Sequence, residues 1–159
     1  MTKTFRKGPV GALMDEYERA SEELKNVLKL VNQEDYLALV NPETKDPDCK
    51  SIQTIINHVI GAGYGYANYI RTQFGDPSTE RKKNYEADTP EAACREIDNM
   101  LKYNVETLQN KWNMTEDDVM KNTMKVRWGP TYDLEQLLEH AIVHILRHRR
   151  QIEKFLIKS

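Results

Sequence analysis

The chain of 159 residues contains four histidines, and three of them follow one another at intervals of four residues. His140, His144 and His148 lie in the C-terminal segment, and His58 lies midway along an earlier segment with helical periodicity. Residues i and i+4 project from one face of a helix about one turn apart, so two such imidazoles can chelate one metal ion. A third ligand must then come from another helix, and His58 is the one remaining histidine. The pattern predicts a divalent-metal site; the alternative is a helix with polar histidines on its half-buried edge.

The spacing leaves two histidine pairs open as metal ligands. His140/His144 and His144/His148 are both i, i+4 pairs, and their directions differ by about 40° around the helix. His148 falls on an apolar line of the helix, four residues before Ile152, whereas His140 follows Glu139 on a more polar line. His144 belongs to both pairs and is therefore the ligand that either choice predicts.

Four long segments with helical periodicity must position these side chains. They cover about residues 10–31, 51–74, 89–112 and 133–157. Ser51 and Thr89 are predicted N-caps, and Asp133 with Gln136 reads as a capping box for the last helix. Residues 113–130 are predicted to be irregular, with a short capped helix near Thr115 and a turn at the Gly-Pro pair 129–130.

Four apolar stripes in a chain of this length bury one another most simply in a four-helix bundle. We therefore predict an all-α fold and a single domain over residues 1–159. Glycine and proline together number 13 (7 + 6), and such a scarcity of turn residues also favours long helices. The first and third connections are long enough for a crossover, so a simple up-down-up-down order is not required.

Charge and composition argue against several classes of function. The formal net charge is −2 and the pI is about 6.1, and the basic run 147–150 is predicted to be a solvated helix end, so we expect no nucleic-acid partner. No apolar run approaches the roughly 18 residues that cross a bilayer, so we expect no membrane partner and a cytoplasmic location. Cys49 and Cys94 form no CxxC pair and are predicted to be reduced structural thiols.

Other chemically suggestive residues have simpler interpretations. The glycine-rich segment 61–65 lies inside a helical pattern without a preceding strand, so it predicts close packing or room above a pocket, and not a nucleotide loop. Tyr64, Tyr66 and Tyr69 are predicted to pack at the core and its edge. Asp133, Glu139 and Tyr66 are candidates for a general acid or base, but no catalytic residue can be assigned from the sequence.

Three segments resemble the DinB-like superfamily. In residues 137–152, His144-x3-His148 is followed by a basic pair and Gln-Ile, which is similar to the last-helix signature of that superfamily. Residues 51–59 around His58 resemble its second-helix segment, and residues 128–132 resemble the entry to its last helix. The similarity in layout extends over nearly the whole chain.

The resemblance implies a four-helix bundle in which three histidines bind a divalent metal. Carried over to this sequence, the ligands are His58, His144 and His148, and His140 is a neighbour of the site. Characterised members include thiol-dependent transferases and isomerases, and homodimers are common. The expected function is a metal-dependent enzyme, with zinc, nickel or iron as the first candidate metals, acting on a small molecule such as a thiol by thiol transfer or hydrolysis. The alternative is a non-enzymatic metal-binding protein with a role in stress.

Overall fold

The computed structural model describes residues 4–158, most of which lie in α-helices. The helices are α1 (Gly8–Leu28), α2 (Gln33–Leu37), α3 (Ile52–Phe74), α4 (Pro90–Leu108), α5 (Glu116–Lys121) and α6 (Leu134–Lys158). A 3₁₀ turn (Pro47–Cys49) precedes α3, and the strands β1 (Thr123–Lys125) and β2 (Thr131–Asp133) form an antiparallel hairpin. The prediction of an all-α fold is confirmed, with α1, α3, α4 and α6 corresponding to the four predicted segments.

The predicted caps begin three of the long helices. The Ser51 hydroxyl accepts a hydrogen bond from the Thr54 N–H at 3.1 Å, and the Thr54 hydroxyl accepts one from the Ser51 N–H at 3.0 Å. Thr89 caps α4, and Asp133 exchanges two hydrogen bonds with Gln136 at the start of α6. These side chains satisfy N–H groups that have no partner inside the helix, which fixes where α3 and α6 start and hence the height of their histidines.

The four long helices pack in a ring in which chain neighbours are not always spatial neighbours. The main contacts are α1 with α6, α6 with α3, α3 with α4, and α4 with α1. Helices α1 and α3 therefore occupy opposite corners, as do α4 and α6, and the two long connections cross the ring between them. This arrangement is compatible with the predicted four-helix bundle, and it places α3 directly against α6.

Each long helix contributes apolar side chains to one core. Tyr17 and Leu24 of α1, Ile56 of α3, Met100 of α4 and Leu137 of α6 are all buried. Burial of one such side chain stabilises a fold by about 1.5–3 kcal/mol relative to its exposure. The four stripes therefore hold α3 and α6 together independently of any ion between them.

Three segments differ from the sequence-based prediction: α1 and α4 are shorter than predicted, since α4 ends at Leu108 and not near residue 112, and a short hairpin precedes α6. α1 ends at Leu28, although the predicted helix ran to residue 31. Val31 is buried after the end of the helix, and its apolar side chain fits the helical spacing, which made the predicted helix too long. The segment 113–130, predicted to be irregular, contains α5 and β1, and β2 follows it at Thr131–Asp133, directly before α6. The strands of this hairpin have three residues each, too few for clear alternation, although Met124 is buried and its neighbours are exposed. Within residues 4–158, no helix has the length and apolar character needed to cross a membrane.

Candidate metal centre

Three histidine side chains converge where α3 packs against α6. Nε2 of His144 lies 2.9 Å from Nε2 of His58 and 3.2 Å from Nε2 of His148. One potential ligand atom from each residue lies within 4.8 Å of those from the other two. His144 and His148 are one turn apart on α6, and α3 supplies His58 from the facing side. The structure thus brings together the three histidines that the resemblance implied.

The two distances from Nε2 of His144 to the neighbouring Nε2 atoms are those expected between ligands of one ion. Imidazole nitrogens bind Zn²⁺ at about 2.0–2.1 Å, so two of them at an angle of roughly 90–110° lie about 2.9–3.4 Å apart. Hydrogen bonds among the three rings do not account for both contacts, because Nε2 of a neutral His144 carries either one proton or one lone pair and has two neighbours. The donor set therefore fits a divalent metal, and the three histidines could hold one.

The opposite nitrogens of two rings face oxygen atoms. The Nδ1–H of His148 donates a hydrogen bond to Oε1 of Gln151 at 2.9 Å. Nδ1 of His58 lies 3.2 Å from a carboxylate oxygen of Asp48, in the 3₁₀ turn. Both oxygens favour a proton on Nδ1, which leaves the lone pair of Nε2 pointing into the cluster. These contacts prepare both rings to coordinate a cation.

Sequence reasoning did not assign a role to Asp48 or Gln151. Gln151 follows His148 by three residues on the same helix, so spacing could have identified it as a neighbour. Asp48 directly follows Pro47 in the long connection between α2 and α3, which has no periodicity, and only its turn geometry brings it to His58. No comparable sequence signal exists for a loop residue of this kind.

His140 lies outside the cluster of three. Its ring stacks on Trp128, with centroids 4.9 Å apart and an interplanar angle of 24°, and it also contacts Tyr132 and Tyr66. Its centroid is 6.4 Å from that of His144. The hairpin that carries Trp128 therefore holds His140 in an aromatic cage, and the i, i+4 pair that joins His58 is His144/His148.

Burial favours the neutral form of His144 and His148. Burial lowers the pKa of His144 from 6.5 to about 3, with a smaller contribution from repulsion by His148 and His58. Burial also lowers the pKa of His148, and the hydrogen bond to Gln151 opposes this decrease. Metal binding requires neutral imidazoles, so this environment favours the state that coordinates.

The lowered pKa values predict that the metal-free protein loses stability in acid. A histidine with a lower pKa in the folded than in the unfolded state lets the unfolded chain bind more protons between the two values. For His144, that window extends from about pH 6.5 down towards pH 3. The free energy of unfolding should fall there by up to about 1.4 kcal/mol per pH unit for one histidine.

Urea denaturation in the presence of a chelator, at pH 7 and at pH 5, measures this loss. The His144→Gln variant serves as the control, because it lacks the titrating ring and should show a smaller decrease. Identical pH dependence in the wild type and in His144→Gln would show that His144 is not the cause.

A cavity of about 300 Å³ opens beside the histidine cluster. It is lined from the cluster by His58 and His144, and aromatic side chains form much of the remaining wall: Tyr66, Tyr69, Trp128. A cavity of this size suits a small molecule. Whatever enters it therefore lies next to the proposed ligands.

Of the three candidates for a general acid or base, only Tyr66 lines this cavity. Burial raises the pKa of Tyr66, so its hydroxyl stays protonated near neutrality. Asp133 is occupied as the cap of α6, and Glu139 is exposed. Tyr64 instead stacks on Tyr85 with centroids 5.4 Å apart, in accord with the predicted packing role.

The glycines of α3 make room for other side chains. A Cβ at Gly63 would lie 2.3 Å from Sδ of Met100, so this glycine permits close packing against α4. A Cβ at Gly61 or Gly65 would lie 3.1 Å or 3.3 Å from the side chain of Arg81. The glycine-rich segment is part of the helix, as predicted, and its outer face accommodates an arginine at the cavity.

The sequence model of the DinB family matches residues 2–157, a span that includes all four histidines. Among solved structures, a conserved protein from Enterococcus faecalis is similar to the chain, with 14% identity and a TM-score of 0.49 over 92% of this chain and 96% of that chain. No curated protein matches the chain significantly.

Proposed function

The chain belongs to the DinB family, and from this premise we propose that it is a metal-dependent enzyme acting on a small molecule. His58, His144 and His148 would hold one divalent ion, with zinc, nickel or iron as the first candidates because nitrogen ligands suit these metals. Thiol transfer or hydrolysis is the proposed reaction, with a low-molecular-weight thiol as the first candidate substrate.

The observation that carries this proposal is the convergence of three Nε2 atoms beside a cavity. A structural metal site is normally closed by four protein ligands, whereas a catalytic site has three and an open position. In residues 4–158, the cluster of potential ligands consists of the three histidines alone. The cavity lined by His58 and His144 lies where a further ligand could enter.

When bound, a divalent ion would supply Lewis acidity and lower the pKa of a coordinated thiol or water. The protein side chains have the other tasks. Asp48 and Gln151 orient two of the histidine rings through Nδ1. Tyr69 and Trp128 form an aromatic part of the cavity wall, against which the apolar part of a small molecule can pack.

The role of Tyr66 follows from its protonation and its place in the cavity wall. Because burial raises its pKa, its hydroxyl can donate a hydrogen bond near neutrality, although it is a poor base. We assign it the task of donating to an oxygen or a leaving group of the substrate. Such a donor stabilises negative charge that develops on the substrate and does not abstract a proton.

A thiol titration of the cobalt-loaded protein tests this function. We expect low-molecular-weight thiols to produce a sulfur-to-cobalt charge-transfer band, because soft sulfur binds such ions well and the metal stabilises the thiolate. The band should depend on His58, His144 and His148 but persist in His140→Ala. No spectral change with thiols, azide or a hydroxamate would mean a closed ion and would favour the non-enzymatic, metal-binding alternative.

A further inference from the structure

Two arginines line the cavity beside the metal centre. Arg81 comes from the linker between α3 and α4, and Arg127 comes from the loop between β1 and β2. A second cavity of about 490 Å³ shares both arginines with the first and adds Lys125 to its lining. Both cavities therefore include Arg81 and Arg127 in their walls, and the two arginines belong to different loops.

The helix α3 holds both arginine segments in place. Arg81 packs over Gly61 and Gly65, where any Cβ would come within 3.1–3.3 Å of its side chain. The backbone N–H of Arg127 donates a hydrogen bond to the hydroxyl of Tyr69 at 2.8 Å. Because Gly61 and Gly65 have no side chains, Arg81 can lie against α3. The hydrogen bond to Tyr69 holds the backbone of Arg127 at the same helix. Both arginines therefore lie at the face of α3 that also carries His58.

The charge of the two arginines is not neutralised locally. Neither guanidinium lies within 4 Å of a carboxylate among the described residues 4–158. Asp48 is the acidic residue in the lining of the smaller cavity, and its carboxylate faces His58; the larger cavity has no acidic residue in its described lining. The whole chain has a net charge of −2, so this cationic pair is a local feature.

The spacing along α3 gives a length for a ligand. Gly61 and Gly65, under Arg81, follow His58 by three and seven residues, which corresponds to about 5–10 Å along the helix axis. A small molecule could therefore reach the histidine cluster with one end and the arginines with the other. Arginine binds carboxylate and phosphate groups with paired, charge-assisted hydrogen bonds.

We propose that the substrate carries an oxyanion group, a carboxylate or a phosphate, which Arg81 and Arg127 bind while the reacting end lies at the histidine cluster. This inference rests on the proposed function, because it assumes a small-molecule ligand at the metal centre. It adds a substrate class, namely anionic molecules with about 5–10 Å between the anionic group and the reacting atom. It also makes both arginines determinants of specificity.

Two thiols that differ only at the distal end test the proposal. The probes are 6-mercaptohexanoate and 6-mercapto-1-hexanol, whose chains are too long for ready chelation of the metal by both ends. Titration of the cobalt-loaded protein, followed by the charge-transfer band, should give an affinity about tenfold higher for the acid than for the alcohol. A third probe, 6-mercaptohexyl phosphate, compares phosphate with carboxylate. The anion that binds with the higher affinity carries the group that the site prefers.

Arginine variants assign the preference to the site. Arg81→Gln and Arg127→Gln should each reduce the preference for the acid and leave the affinity for the alcohol unchanged. Arg95→Gln is the matched control, because it removes an exposed arginine from α4, which does not line either cavity. Helical circular dichroism and the unchanged alcohol titration show that each variant is folded.

The outcomes separate this inference from the proposed function. Equal affinities of the wild type for acid and alcohol, with a band from both, would overturn the anion subsite and leave the thiol site standing. A preference for the acid that persists in both arginine variants would also overturn it. If neither probe gives a band, the proposed function fails. The anion subsite is then tested by calorimetric titration of the metal-free protein with 6-mercaptohexanoate. Binding of this acid that is lost in Arg81→Gln supports the subsite, whereas no binding, or binding that persists in Arg81→Gln, overturns it.

Discussion

The His144→Ala variant should have a much lower affinity for divalent metal than the wild type. His144 is the central member of the cluster, since its Nε2 lies 2.9 Å and 3.2 Å from those of His58 and His148. Removing it leaves two ligands on different helices. We expect a loss of affinity greater than the roughly 10–100-fold that is typical when a residue that only orients a ligand is substituted. Direct titration of the metal-free variants with Zn²⁺ or Co²⁺ measures the effect.

The same titration of three further variants completes this prediction. His58→Ala and His148→Ala should also lose most of the affinity. His140→Ala is the matched control, because His140 lies on the same helix one turn before His144 but packs against Trp128. If His140→Ala loses as much affinity as His144→Ala, or if His144→Ala binds normally, the assignment of the three ligands is wrong.

Substitutions of Asp48 or Gln151 should weaken metal binding without touching a ligand. The Asp48 carboxylate and the Gln151 amide oxygen face Nδ1 of His58 and His148, respectively. Without them the rings lose their orientation and their bias towards the Nδ1–H tautomer. For Asp48→Ala and Gln151→Ala we expect about 10–100-fold lower affinity, with the stoichiometry unchanged.

The substitution Asp48→Asn refines this second prediction. It keeps an oxygen acceptor and removes the charge, so the metal affinity of this variant should lie between those of the wild type and Asp48→Ala. Asp117→Ala removes an exposed carboxylate from α5 and is the control for net charge. An Asp48→Ala variant that binds metal as tightly as Asp117→Ala would show that the carboxylate does not orient His58.

The four long helices and the common helix face of the C-terminal histidines could be predicted, because local sequence determines them. The capping box at Asp133 fixed the start of α6, and the period of four indicated one face for the histidines. The choice between His140 and His148 was not accessible from spacing, since it depends on packing: the β1–β2 hairpin brings Trp128 against His140. That the three clustered histidines bind metal stays a prediction.

Residues from the long connections could not be predicted as part of the site. Asp48, Arg81 and Arg127 all lie in segments without helical periodicity, and each reaches the site only through tertiary contacts. The glycines at 61 and 65 indicated space beside α3, but nothing in the sequence identified Arg81 as the side chain that fills it. Cavity walls contributed by loops are therefore the part of such a site that requires a structure.

The most direct test of the metal centre is anomalous diffraction from crystals of the protein purified without a histidine tag. Collected on both sides of the absorption edge of the metal found in solution, the data should show one peak per chain. We expect the peak about 2.0–2.3 Å from Nε2 of His58, His144 and His148, with a position open towards the cavity. No peak at these three nitrogens in metal-supplemented crystals, or a peak coordinated by His140 instead of His148, would contradict the account.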